Sequence, residues 1–459
     1  KAAYRPYGYT NFYVETVGFL RCGEDNEICV IARNADQPNS RWYSGAGIYR
    51  PVIMHVADGG HIELNGIKIR TLSVSPAVVE VKVKTSRQGL VRAEIFRGGK
   101  SVAVNSLETD GYNSAVFEFR IDNAELWSPD NPALYTLRAE FCGDCEEEEF
   151  GIRTIAFSSK EGFTMNGERL IIRGACIHHD NGILGARCYP EAEDRKILLL
   201  KKHGYNAVRS AHNPCSKALL KACDRAGVLV VDEYCDMWYI HKTRYDYARY
   251  VSDWYERDIT DMVEKDYNHP SVIMYSLGNE VAETGQKRGI ELFKRMREVC
   301  KSLDGERPVT VGVNIFFNLL YALGFGVYDD KKAVKNSRKK VGSEFFNNLA
   351  GIFGDKFMKI MAKLHGCDVK TRDCYAAMDV AGYNYGILRY KRDLKKYPSR
   401  IILGSETFCS DAYYFWETAK KNPALIGDFV WAGMDYLGEV GVGSWEYKDY
   451  APSFKHGPG

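Results

Sequence analysis

Two glutamates stand where a short apolar run of the chain gives out. Glu280 follows Val272-Ile-Met-Tyr-Ser-Leu-Gly-Asn279, and Glu406 follows Ile401-Ile-Leu-Gly-Ser405. Two carboxyl groups brought together can hydrolyse a glycoside: one protonates the leaving oxygen while the other attacks the anomeric carbon or activates water there. In a retaining enzyme their oxygens lie about 5 Å apart. Asn279 can hydrogen-bond a sugar 2-hydroxyl, and Tyr383 or Tyr385 can hold Glu406 ionised and oriented, keeping the two carboxyl groups in different protonation states. The plainer reading makes each glutamate an ion-pair partner at the rim of a barrel. For a single strand-end Glu that reading suffices, so the pair has to be weighed with its surroundings.

Those surroundings repeat the pattern. From about residue 160 short apolar runs alternate with helical segments, beginning near Leu170, Asn206, Val228, Val272, Val309, Val380, Ile401 and Leu425. That alternation predicts parallel β/α architecture, and eight runs are what a closed (β/α)8 TIM barrel needs. Nearly every run ends in polar or aromatic groups: His178-His179-Asp180, Arg209-Ser-Ala-His212-Asn213, Asp232-Glu233-Tyr234, Asn279-Glu280, Tyr383-Asn384-Tyr385, Ser405-Glu406 and Trp431. Strand C-termini converge on one mouth in this fold, so these groups should meet there. The helices between are punctuated by Pro190 at one start and by Ser216 and Ser252 as candidate caps, with stops at Gly204, Gly227 and Pro270.

The first third reads differently. Val78-Val-Glu-Val-Lys-Val-Lys84 alternates apolar and charged residues, and Val91 to Phe96, Ala115 to Ile121 and Tyr135 to Phe141 repeat it. This predicts an antiparallel sandwich over residues 53 to 156. Residues 1 to 52 also look β-rich but are too few to bury a core of their own. The remainder, 157 to 459, is the expected barrel, with a long insertion from about 314 to 374.

The bulk numbers exclude several classes. Apolar residues are 45% and charged residues 27% of the 459-residue chain, and the formal net charge is +2. No global field invites nucleic acid or a charged membrane, and no apolar run approaches the roughly 20 residues of a spanning helix. The thirteen cysteines are scattered, and the single CxxC pair, Cys142 and Cys145, lacks the second ligand pair a zinc site needs. A reduced, cytoplasmic protein with buried thiols is the expectation. The insertion's basic stretch, Lys331 to Lys340, and its helix-spaced Phe345, Phe346, Leu349, Phe353 and Phe357 read as packed helices beside the mouth rather than a nucleic-acid surface.

Taken jointly, these segments resemble glycoside hydrolase family 2. The resemblance rests on Arg173-Gly174-Ala-Cys-Ile-His178-His179-Asp180, Asn206-Ala-Val-Arg209-Ser-Ala-His212-Asn213-Pro214, Val231-Asp232-Glu233, Ser276-Leu-Gly-Asn279-Glu280 and Gly404-Ser-Glu406. Gln37 to Arg50 resembles the end of that family's sugar-binding jelly roll, and Leu126 to Tyr135 its immunoglobulin-like middle domain. The resemblance implies a jelly-roll remnant over 1 to 52, an immunoglobulin-like sandwich over 53 to 156, and a barrel stopping before its eighth helix, soon after Glu439. An incomplete barrel of that kind would expose apolar strand surface and lose stability or activity. It also implies double displacement with Glu280 as acid/base and Glu406 as nucleophile. Around the sugar it places His179, Asp180, Arg209, His212, Asn213, Asn279, Tyr383 and Trp431, with Arg209 equally readable as a structural support.

Some galactosidases of the family bind magnesium through a Glu and a His after the third strand. Here Asp232-Glu233-Tyr-Cys-Asp236-Met-Trp238 supplies acids but no matching His, so neither metal nor cofactor is expected. The Asn-x-Lys pair with which family glucuronidases grip a carboxylate does not occur between Trp431 and Gly459. A terminal β-galactoside is therefore the first expectation and a β-glucuronide the second, with β-mannoside and rarer uronides behind. A non-catalytic carbohydrate-binding protein and an endo-acting glucanase are the competing classes; intact Glu280, Glu406 and Asn279 speak against the first. Large family members often form homo-oligomers, but no interface is legible here.

Overall fold

A strand with one face on a core must alternate buried and exposed side chains. Residues 62–150 form seven strands, β1 (Ile62–Val74), β2 (Ala77–Thr85), β3 (Leu90–Arg97), β4 (Lys100–Glu108), β5 (Ser114–Ile121), β6 (Tyr135–Phe141) and β7 (Asp144–Phe150), and β2, β3, β5 and β6 alternate in this way. The computed structural model describes residues 2–335 and 355–437. The strands pair antiparallel in two sheets, β1-β2-β5 and β4-β3-β6-β7. Val79, Val81, Val83, Phe117, Val91, Ile95, Leu137 and Phe141 fill the space between them.

Residues 2–61 depart from the β-rich expectation. They run as an irregular arm over the barrel, with a single bridge at Trp42 where Tyr43 N–H donates to the Leu437 carbonyl at 3.1 Å. Apolar alternation alone does not make a sheet: a strand needs a neighbouring strand to take its backbone hydrogen bonds.

A small sheet, β8 (Ile155–Ser158), β9 (Gly162–Met165) and β10 (Glu168–Arg169), leads into the closed parallel barrel. Its strands are β11 (Ile172–Ile177), β12 (Ala207–Ser210), β13 (Leu229–Glu233), β14 (Val272–Asn279), β15 (Val309–Asn314), β16 (Ala381–Asn384), β17 (Ile402–Phe408) and β18 (Leu425–Trp431). The ring closes where β11 pairs with β18. There Gly174 has no side chain because a Cβ would come within 2.2 Å of the Phe429 ring, which plugs the barrel's interior.

Ser216 caps the helix Lys217–Ala226 by accepting from Leu219 N at 3.0 Å, and Gly227 ends it at φ 68°. Ser252 does not cap. It lies inside the helix Ala248–Asp266, and Asp246 gathers the N–H groups of Lys242, Thr243 and Ala248 ahead of that helix. The carboxylate outcompetes a hydroxyl because it accepts several donors at once.

Between β15 and β16 come the helices Ile315–Ala322, Asp330–Lys335, Asp355–Met361 and His365–Ala377. Phe357 packs there at 6.1 Å from Phe316. Phe345, Phe346, Leu349, Phe353, residues 336–340 of the basic stretch and Glu439 lie outside the described residues. Sandwich and barrel are joined by buried polar contacts: Trp127 Nε1 donates to the Asp224 carbonyl at 2.9 Å, and Arg153 to the carbonyls of Pro270 and Val272.

Candidate active site

At the strand ends the barrel's filling changes from apolar to polar. Arg209, on β12 and fully buried, is the centre of the polar layer. Its Nε and Nη2 donate to Glu233 Oε2 at 3.0 and 2.6 Å, its Nη1 to Glu406 Oε1 at 3.0 Å, and its Nη2 also to Asn279 Oδ1 at 3.0 Å. One guanidinium thus ties β12 to β13, β14 and β17. Glu233 accepts further from Ser276 Oγ at 2.5 Å and contacts His212 Nδ1 at 2.7 Å. Burial pushes Glu233 up to about 7, against the pull of Arg209.

An arginine only donates, so the oxygen of the Asn279 amide must face it. The Asn279 nitrogen then faces His212 Nε2 at 3.2 Å and Asp236 Oδ1 at 3.2 Å. It follows that His212 Nε2 accepts and Nδ1 carries the proton given to Glu233. Burial, then the Arg209 charge, hold His212 well below its ordinary value, so the ring is neutral. Asn279 Oδ1 also accepts from Asn384 Nδ2 at 3.0 Å, which fills all four valences of the amide. The amide that the sequence assigns to a sugar 2-hydroxyl is thereby a fixed node of the network. Asp236 is gripped by Arg41 Nη2 at 2.7 Å and Lys242 Nζ at 2.8 Å; burial pushes it up, but these two cations outweigh burial and hold it below the usual carboxylate range.

Glu280 follows β14 in left-handed backbone, φ 45°, an uncommon state for a residue with a Cβ. Its N–H donates to the Gly312 carbonyl at 2.7 Å. Its Oε1 accepts from Asn314 Nδ2 at 2.8 Å and Asn384 Nδ2 at 3.3 Å. Gly312 leaves the room these groups need: a Cβ there would lie 3.0 Å from each of Arg209 Nη2, Asn279 Oδ1 and Asn384 Oδ1. Glu406, on β17, pairs in register with Asn384. Burial and then the charge of Glu280 push Glu406 up to about 7, opposed by Arg209 and by a hydrogen bond from the Tyr385 hydroxyl. Tyr385 is itself left-handed, φ 56°, and its N–H donates to the Glu406 carbonyl at 2.8 Å.

Rings close the layer above. His212 stacks on Trp431 with centroids 5.3 Å apart and planes at 4°; His178 lies edge-on to both, and Trp42 of the arm packs against both histidines. The Ala211–His212 and Trp431–Ala432 peptide bonds are cis.

Glu280, Glu406, Arg209, His212, Asn279 and Trp431 are therefore brought together, whereas Tyr383 and His179 turn away, and Asp180 and Asn213 make no hydrogen bond among the described residues that ties them to the centre. Tyr383 points outward into the helical layer, fully buried, stacked on Tyr375 at 4.4 Å with its hydroxyl on Asp393 at 2.8 Å. Strand alternation puts Asn384 inward and Tyr383 outward, and Tyr385 takes the place by Glu406. His179 likewise turns out of the barrel, against Tyr9 at 5.1 Å, and burial pushes it down to about 3; His178 is the inward ring. Asp180 accepts from Gly182 N at 3.3 Å and Leu437 N at 3.4 Å, so it braces the loops after β11 and β18. The Asn213 side chain is buried and makes no hydrogen bond among the described residues.

Asn314, Lys242, Arg41 and Trp42 are given no part in the site by the sequence, and Asn384 and Asp236 are given no specific one. Counting by twos from inward Cys176 would have selected His178 over His179. Asn314, the last residue of its run before Ile-Phe-Phe, carries the signal of a helix cap. Nothing local marks Arg41 or Lys242, which reach Asp236 from an arm and a loop. Among the described residues no group of three or more His, Cys, Asp and Glu is arranged to hold a metal, and no helix is long and apolar enough to cross a membrane.

Eight parallel strands closed on themselves, with two glutamates at the ends of the fourth and seventh joined through Asn384, Asn279 and Arg209, define a (β/α)8 barrel with a paired-carboxylate centre. The family model described as "Glycosyl hydrolases family 2, TIM barrel domain" matches residues 158–348, and that described as "Glycosyl hydrolases family 2" matches residues 60–153. The chain belongs to glycoside hydrolase family 2. It is 32% identical over 509 residues to a β-galactosidase of Bacteroides ovatus, covering 96% of this chain and 57% of that protein. It is 28% identical over 286 residues to a β-glucuronidase of Paenibacillus borealis, covering 59% of this chain and 46% of the other. A solved family 2 member from Bacteroides cellulosilyticus superposes with a TM-score of 0.76 at 33% identity, over 95% of this chain and 52% of that one. The chain spans about half the length of the curated relatives it matches.

Proposed function

We propose that this chain carries the catalytic centre of a retaining, exo-acting β-glycosidase for terminal β-D-galactosides, with Glu280 as general acid/base and Glu406 as nucleophile. The observation that carries the reading is the unlike setting of the two carboxyl groups. Glu406 is gripped by a guanidinium, which favours the ionised, attacking form, whereas Glu280 meets the neutral amides of Asn314 and Asn384. In the first step a Glu406 oxygen bonds to the anomeric carbon as the glycosidic C–O bond breaks, and the Glu280 proton passes to the leaving oxygen. In the second, Glu280 takes a proton from water, the hydroxide adds to the anomeric carbon, and the ester to Glu406 breaks. Two inversions give retention.

Trp42 of the arm packs against the histidine pair at the mouth, and a mouth bounded on that side supports removal of a terminal sugar. Among the described residues, the cations nearest the glutamates are each on a carboxylate: Arg209 on Glu233 and Glu406, Arg41 and Lys242 on Asp236. A neutral galactoside fits that balance better than a uronide. The similarity to a β-galactosidase at 32% identity supports the same choice, and the glucuronidase relative makes β-glucuronide the alternative to test.

The test is hydrolysis of a panel of aryl β-glycosides by the wild type and by Glu280→Gln and Glu406→Gln. Galactoside-selective turnover, lost by at least about a thousandfold in Glu406→Gln, and labelling of Glu406 by an activated 2-fluoro galactoside are the expected results. Faster turnover of the glucuronide would replace the sugar. A folded protein that binds sugars but is neither labelled nor active would replace the enzyme reading by a binding one.

A further inference from the structure

Asn314 does two things with one amide. Its Oδ1 accepts from Phe317 N at 3.2 Å, capping the helix Ile315–Ala322 that opens the insertion after β15. Its Nδ2 donates to Glu280 Oε1 at 2.8 Å. The cap requires oxygen on the helix side, so the amide cannot turn over, and the donor is held towards the carboxyl group. The side chain is buried, 3% exposed, and sits on the last residue of a barrel strand. The second donor to the same oxygen, Asn384, is longer at 3.3 Å and divided, since its Nδ2 also serves Asn279. Glu280 stands after the end of its strand in left-handed backbone, so β14 itself does not dictate its side-chain direction.

We infer that Asn314 is the positioning residue of the acid/base: the helix cap locks its amide, and the locked amide holds Oε1 of Glu280 so that the other oxygen is presented to the leaving group. The inference rests on the proposed catalytic role of Glu280. The charged and titratable groups facing Glu280 are Glu406 on β17 and the Tyr385 hydroxyl after β16; Arg209, His212, Asp236 and Lys242 reach its neighbour Asn279. None of these is moved by a substitution at 314, so a change in acid catalysis there is attributable to the lost donor.

The experiment compares wild type, Asn314→Ser and Asn314→Asp in the full chain, on the aryl glycoside that wild type turns over best in the panel. It uses two leaving groups, activated 2,4-dinitrophenyl and unactivated phenyl. Serine retains the cap but is too short to reach Glu280, so the thermal unfolding midpoint should stay near that of wild type. Phenyl glycoside turnover should fall about tenfold, a partial loss of what a general acid contributes, while the dinitrophenyl glycoside, which needs no proton, falls less than about twofold. Asn314→Asp retains shape and cap but turns an oxygen towards Glu280; like charges side by side should move the basic limb of kcat/KM up by about one pH unit or more. Equal losses on both leaving groups, or a basic limb that does not move in Asn314→Asp, would overturn the inference. Wild type that turns over no glycoside would overturn the proposed function instead, and the two failures are thereby distinguished.

Discussion

At the scale of single residues, the centre is governed by which buried groups carry charge. Glu406 must be ionised to attack, yet burial and the neighbouring Glu280 push it up to about 7. The ionised fraction therefore rises with pH through about 7, and kcat/KM should fall about tenfold per unit below that point. Removing the Tyr385 hydroxyl, which opposes that shift, should move the acidic limb to higher pH in Tyr385→Phe. A pH profile of both proteins checks this, and a limb that stays in place in the variant would mean that Tyr385 does not hold Glu406. His212, neutral and protonated at Nδ1, transmits Glu233 to Asn279 without adding charge.

At the scale of elements, the strand ends work because backbone and side chains interlock across four neighbouring strands. Gly312 on β15 lies within Cβ reach of atoms from β12, β14 and β16 at once. A methyl group there meets three network atoms at once, and none is the free end of a flexible chain. Gly312→Ala should lower kcat/KM at least about tenfold while the circular dichroism spectrum stays native; unchanged kinetics would show that the network yields without cost. The insertion after β15 bears on the same network from two sides. Its first helix is capped by Asn314, which holds Glu280, and Tyr328 further along lies 4.9 Å from Lys242 and 5.8 Å from Arg41. Both cations hold Asp236, and Asp236 holds Asn279.

At the scale of the whole molecule, the buried ionisable groups set how stability depends on pH. Glu233, Glu283 and Glu406 are each pushed up to about 7 by burial and Asp428 to about 8. Their folded-state values lie above their unfolded ones, so the folded chain binds more protons, and the stability they contribute is lost as pH rises towards 8. His178, His179 and His212 are pushed down by burial, so their contribution is complete above the ordinary histidine value of about 6.5 and is lost as pH falls below it. The two trends oppose one another below that value and only the carboxyl trend acts above it. The thermal unfolding midpoint should fall steadily between about pH 6.5 and pH 8.5; a midpoint that rises over this interval would contradict the buried-carboxyl account.

Much of this protein was legible in its residues, for a local reason. Period-two alternation marks strands, Ser216 and Gly227 mark a helix's ends, and polar groups at the ends of apolar runs mark the mouth of a parallel barrel, because each follows from backbone geometry within a few residues. That is why the barrel, the sandwich and the meeting of Glu280 and Glu406 at the mouth could be expected in advance. What the residues could not decide was side and partnership. Whether His178 or His179, and Tyr383 or Tyr385, faces the centre depends on strand phase and on a register shift beside Asn384, which neighbouring strands impose. That the Asn279 amide is saturated, that Gly312 must lack a side chain, and that Arg41 of the arm neutralises Asp236 beyond β13 are consequences of distance in space. Residues 41 and 236 are far apart along the chain and meet only because the barrel brings arm and loop to one mouth, where a buried carboxylate cannot remain without a cation.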